Sequence, residues 1–171
     1  MGMQVYITSD HDGYNLRMDI IDGLKEYNNT LEMDNSRGIL YIIDMGPKNN
    51  DFVDYPDYCH KVAKLVSLNK DSIGIVICKT GIGMSIVCNR YRGVRCALCH
   101  SEETALIARE HNNANIISLG SDIVNRENGC NIVKAFIEGR FKKGHHIDTI
   151  GKINNINNIN PITLEKTKFL M

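Results

Sequence analysis

Five short runs of almost unbroken apolar character constrain this chain most: QVYIT (4–8), ILYIID (39–44), IGIVIC (73–78), VRCALC (94–99) and NIISL (115–119). A strand with one face in water alternates apolar and polar residues, whereas a strand covered on both faces has no need to. Between the runs the apolar spacing becomes helical. Leu16, Ile20, Ile21 and Leu24 share one stripe of 14–27, and Cys59, Val62, Ala63 and Val66 do the same in 56–68, where Pro56 suits the first turn. Ser101, followed by Glu102 and Glu103, reads as a cap with acids at the positive end of a helix over 101–111. Val133, Phe136 and Ile137 give 126–140 an apolar face. This alternation predicts an α/β fold, a Rossmann-like three-layer α/β/α sandwich around a five-stranded parallel sheet.

A length of 171 residues suits one domain with its own core. That domain is placed at 1–150, with a polar loop insertion at 28–38 and an Asn-rich tail at 151–171 that repeats Ile-Asn-Asn. Twenty basic side chains balance twenty acidic ones, so no global field draws the chain to nucleic acid or to an anionic membrane. No apolar run reaches bilayer length, and the N-terminus passes directly into a strand pattern. A soluble, cytoplasmic protein with reduced cysteines is therefore expected.

In an open parallel sheet, ligands bind beyond the carboxyl ends of the strands. SDHDG, CKTGIGMS, HSEET and LGSD follow the first, third, fourth and fifth runs. GIGMSI (81–86) approaches a dinucleotide G-x-G-x-x-G, but Ile86 stands at the third glycine and the stretch follows the third strand. There is no G-K-[ST] either, so neither a nicotinamide cofactor nor a P-loop is expected. Gly81 and Gly83 still allow close backbone approach to a ligand, although a tight turn explains them equally. CALCH (96–100) has the spacing of haem attachment, yet the odd separation of Cys96 and Cys99 within a strand sends them to opposite faces. No other His/Cys grouping has metal-ligand spacing. Cys78 stands apart because it ends a strand at a helix-opening glycine turn, the setting in which thiols become reactive. His11 and His111, taken singly, read as structural imidazoles.

Four stretches taken together carry more. SDHDGYNLR, DYPDY, CKTGIGMS with CNRYRGVR, and AREHNNANIISLG resemble the ribose-5-phosphate isomerase type B family, which includes galactose-6-phosphate isomerase subunits. The resemblance implies an aldose–ketose isomerase of a sugar phosphate, ribose 5-phosphate to ribulose 5-phosphate first among them, working through an enediolate without metal or organic cofactor. It implies that Cys78 moves the proton between C2 and C1, that His111 opens the sugar ring, and that Asp10 and Thr80 lie beside the ring oxygen and hydroxyls. Amides of Gly81, Ile82, Gly83, Met84 and Ser85 would hold the enediolate oxygen. Tyr55 and Asn112 would hold sugar hydroxyls, and His11 would stand on the phosphate side. A homodimer or homotetramer with the site at the subunit interface is implied as well. The chemistry asks for such a set, because a proton next to a carbonyl is weakly acidic and needs both a placed base and an oxyanion stabiliser.

The chain departs from the family where phosphate is held. Asp122, His145 and Thr149 occupy places usually taken by arginines, and Lys79 replaces the glycine after the cysteine. A carboxylate about 6 Å from a phosphate dianion repels it by several kcal/mol at an effective dielectric near 20. Lys79, Arg140 and His145 are the candidates for the missing charge, with Lys142, Lys143 and His146 nearby in sequence. Two alternatives stay open: an isomerase of another sugar (a hexose phosphate, an unphosphorylated sugar, or within a hetero-oligomer), and a catalytically idle sugar-binding subunit.

Overall fold

The computed structural model describes residues 2–34 and 38–155. The five apolar runs form strands β1 (Met3–Ser9), β2 (Leu40–Asp44), β3 (Ser72–Cys78), β4 (Cys96–Leu98) and β5 (Ile116–Gly120). All pair in parallel, in the order β2-β1-β3-β5-β4. The helices are α1 (Tyr14–Asp34), α2 (Tyr55–Leu68), α3 (Ile82–Cys88), α4 (Glu102–Glu110), α5 (Arg126–Glu138) and α6 (His146–Asn154).

Every residue of β3 is buried, because both faces of the sheet are covered. Ile73, Ile75 and Ile77 pack into a core with α1, α4 and α5, while Val76 and Cys78 pack into a second core with α2 and α3. Cys99 belongs to the first core and Cys96 lies against the second, the opposite orientation expected from their spacing. The cap at Ser101 forms as anticipated, its side chain accepting from the Thr104 amide at 3.2 Å. No helix among the described residues is long and apolar enough to cross a membrane.

Three local expectations need correction. Residues 28–34 continue α1 instead of opening a loop, and 35–37 lie outside the described residues. Leu31 adds a buried apolar contact there, and Asn28 clamps the start of β2 by donating to Leu40 O at 2.8 Å and accepting from Leu40 N at 2.9 Å. These tertiary bonds outweigh the polar composition of NNTLEMD. The second correction concerns the carboxyl end: α6 runs across the 150/151 boundary because Ile150 buries against the body, and only 156–171 lie outside the described residues. Finally, the fourth strand is short, since Val94 is drawn into a turn by its bond to Tyr91 O at 3.1 Å.

One buried charge ties the fold to its carboxyl-edge loops. Arg17 on α1 is 1% exposed, pairs with Asp44 at the end of β2 at 3.0 Å, donates to Pro47 O and lies over the Tyr14 ring. Breaking a pair by removing one partner strands the other charge in the interior. Asp44→Ala is accordingly expected to lower the unfolding free energy by about 2 kcal/mol, less than for a pair buried on both sides because this carboxylate is half in water. Urea denaturation with an unchanged m-value checks it.

Candidate active site

Strand order reverses between β1 and β3, since β1 leads leftward to β2 and β2 returns across it to β3. The ends of two neighbouring strands part at such a point and leave a crevice for a ligand. The register fixes what stands there. Ser9 pairs with Ile77, and the Asp10 amide donates to Ile77 O at 3.1 Å, so Asp10 faces Cys78 across one strand spacing of about 5 Å.

Cys78 is 5% exposed and sits at the base of an otherwise open loop. Its sulfur accepts from the Gly81 amide at 3.1 Å. Gly81 caps the start of α3 with φ 76°, and a Cβ there would lie 2.5 Å from Leu98 Cδ1, so only glycine can make this turn. Of the five amides expected to face an oxyanion, two are already engaged: Gly81 by the sulfur, and Ser85 by Gly81 O at 3.1 Å. The Ile82 amide makes a long contact of 3.4 Å with Thr80 Oγ1. The amides of Gly83 and Met84 have no acceptor among the described residues, because the first turn of a helix lacks one.

The connection before α2 closes the other side. The Tyr55 ring lies so close to Gly83 that a Cβ on that glycine would approach Tyr55 Cζ to 2.7 Å. His11 Nδ1 lies 3.2 Å from Val53 O, and its ring stands 4.8 Å from that of Phe52. Asp10, 5% exposed, accepts from the Gly13 amide at 2.9 Å. Burial pushes its carboxyl above the ordinary carboxylate range, chiefly by desolvation and further by Asp12, against the opposing Gly13 bond and His11. A raised folded-state pKa favours the protonated native state, so this group costs stability as pH rises through that value. Asp10→Asn, which keeps an acceptor for Gly13, is therefore expected to raise the melting temperature at pH 7. The gain should vanish in acid, below the ordinary Asp value, where both forms are neutral; a pH series of thermal melts checks it.

Asp10, His11, Tyr55, Cys78, Thr80 and the 81–85 turn are thus brought together. His111 and Asn112 are not. His111 ends α4, which runs back from the carboxyl end of β4 to the amino end of β5, placing it at the opposite end of the strands. The five residues of β5 alone span about 16 Å. There the His111 ring stacks on His146 with centroids 4.6 Å apart, and His146 meets His145 at 3.9 Å. Arg140 and Lys142 leave α5 at the same end, where Lys142 pairs with Glu110 at 2.7 Å. Of the charge candidates only Lys79 stands with Cys78, exposed beside Asp122, whose amide bonds Lys79 O at 3.0 Å and whose side chain is exposed. Helix periodicity predicts that α4 ends near His111, and its antiparallel return already implies the far end. The motif resemblance, which lists residues without placing them, hides that separation.

Comparison with known proteins bears on the same residues. The model of a family described as Ribose/Galactose Isomerase matches residues 5–153. The ribose-5-phosphate isomerase B of Escherichia coli K12 is 33% identical over 147 residues, covering 86% of this chain and 91% of that protein. A Clostridium thermocellum ribose-5-phosphate isomerase B superposes with TM-score 0.79 at 39% identity, covering 91% of this chain and 97% of the other. The Mycoplasma genitalium ribose-5-phosphate isomerase B, solved with bound ribulose-5-phosphate, superposes with TM-score 0.79 at 34% identity, over 94% and 99% of the two chains.

Proposed function

The chain belongs to the ribose/galactose isomerase family, and on that premise we propose that it interconverts ribose 5-phosphate and ribulose 5-phosphate through an enediolate, with Cys78 as the base. The observation that carries this reading is the strand register: it sets Asp10 against Cys78 at the switch point, beside the unengaged amides of Gly83 and Met84. The Cys78 thiolate takes the C2 proton of the opened sugar and the electron pair moves onto the C1 carbonyl oxygen; the C2 hydroxyl proton passes to that oxygen, and as the C2 carbonyl forms the thiol returns its proton to C1. Gly83 and Met84 donate to that oxygen as its charge grows; one such donor is worth roughly 3–4 kcal/mol of barrier. Asp10, protonated more readily than a surface carboxyl, and the Thr80 hydroxyl address the ring oxygen and hydroxyls, while Tyr55 borders the sugar.

His111 serves ring opening from a second copy of the chain. Its position at the end of α4, away from the crevice of its own chain, supports a symmetric dimer in which the crevice of one copy meets the end of α4 of the other, so that each site draws on both. The exposed apolar side chains of Ile82 and Ile86 on α3 and of Leu106 and Ile107 on α4 suit such a contact. Phosphate is then met by Lys79 from one copy and by Arg140 and His145 from the other. Asp122 is the observation that favours a second reading, a substrate held without a phosphate grip. The deciding experiment incubates the purified chain with ribose 5-phosphate, galactose 6-phosphate and unphosphorylated ribose, following ketose formation. Turnover of ribose 5-phosphate is expected; turnover confined to the unphosphorylated sugar, or no turnover at all, overturns the proposal.

A further inference from the structure

At the amino ends of the strands lies a cavity of about 1210 Å³, bordered by the last turns of α6 at Ile150 and Asn154. Lys70, Arg92, Arg95 and Arg109 line it, against one lining carboxylate, Asp71. None of these four cations has an ion-pair partner among the described residues. Two of them also serve the fold: Arg95 Nε donates to Asn113 O at 2.8 Å, and Arg109 donates to Ala114 O. Those bonds use only part of each guanidinium. Arg109 Nε is buried without an acceptor among the described residues, and burial, then Arg140 and Arg95, push this guanidinium below its usual range. Lys70 and Arg92 are exposed and make no hydrogen bond among the described residues. Four like charges lining one cavity with a single carboxylate among them repel one another, a cost that a bound anion removes.

The ligand's shape follows from where the charge comes from. Lys70 precedes β3, Arg92 and Arg95 precede β4, and Arg109 lies on α4, so the positive groups are spread over three segments. A single phosphate would meet only some of them. The volume leaves room for more than one phosphate. We propose that this cavity binds a small molecule carrying a diphosphate group, gripped by Arg95 and Arg109 in the wall and by Lys70 and Arg92 at the rim. Neither Cys78, His111 nor His145 lines it, so the proposal stands apart from the isomerase reading.

Calorimetric titration of the full chain with inorganic pyrophosphate, and separately with ADP, tests it at fixed ionic strength. Saturable binding of one diphosphate per chain is expected, unchanged in Cys78→Ala and undiminished by saturating ribose 5-phosphate. In the Lys70→Ala/Arg92→Ala double variant, whose side chains hold nothing in place, affinity should fall about tenfold to a hundredfold with an unaltered melting temperature. Tighter binding of ADP than of pyrophosphate assigns the diphosphate to a nucleotide; equal binding assigns it to the diphosphate alone. Absence of saturable binding, equal affinity in the double variant, or displacement by ribose 5-phosphate overturns the proposal.

Discussion

Replacement of Cys78 by alanine is expected to lower kcat for ribose 5-phosphate about 10²–10⁴-fold, the contribution of a positioned general base. The protein should remain folded, because the lost sulfur is small and the carbonyl of Cys78 still accepts from Ser121 N at 2.9 Å. Cys78→Ser is the sharper control. A hydroxyl fills the place of the thiol and can still accept from Gly81, but it does not ionise near neutral pH, so the serine variant should be nearly as inactive. Solvent deuterium exchange at C1 of the ketose reads the same step directly and should disappear in both variants. Activity within tenfold of wild type in either one would remove the sulfur from the mechanism.

The second large effect concerns the distance between Cys78 and His111. His111→Ala alone is expected to lose most of its activity on the ring-closed substrate. Refolding equal amounts of Cys78→Ala and His111→Ala chains together should then restore about a quarter of wild-type activity: half of the dimers are mixed, and each mixed dimer holds one complete site. Neither parent alone can show this. If one chain supplied both residues to one site, the mixture would stay as inactive as its parents. This experiment separates a shared site from a merely adjacent pair of chains, which a measurement of oligomeric state does not.

Much of the architecture is readable in the amino-acid order alone. The apolar run ending in Cys78 lacks alternation because helices cover it on both sides, and burial of all seven residues of Ser72–Cys78 follows from that. Capping at Ser101 and the opposed orientation of Cys96 and Cys99 followed from equally local rules. Local rules failed where distant partners decide. Nothing within NNTLEMD announces the Asn28 clamp on Leu40, so a polar segment that reads as loop stays helical. The same holds for Ile150, whose burial carries α6 past residue 150 into the Asn-rich segment.

The candidate site divides along the same line. Residue types at the crevice, a cysteine before a glycine turn and an aspartate after the first strand, are properties of short stretches and were legible as such. Which amides remain free was not: the sulfur takes Gly81 and the helix takes Ser85, and both outcomes depend on how the turn closes against Leu98 and Leu119. By itself, then, the amino-acid order determined the alternation of strand and helix, the buried faces and the chemical inventory, because these depend on neighbours within a few positions. Tertiary structure alone decided that Asp10 stands on the strand end next to that of Cys78 while His111 lies a strand's length away, because strand order and register bring together or hold apart residues that the chain itself spaces without regard to distance.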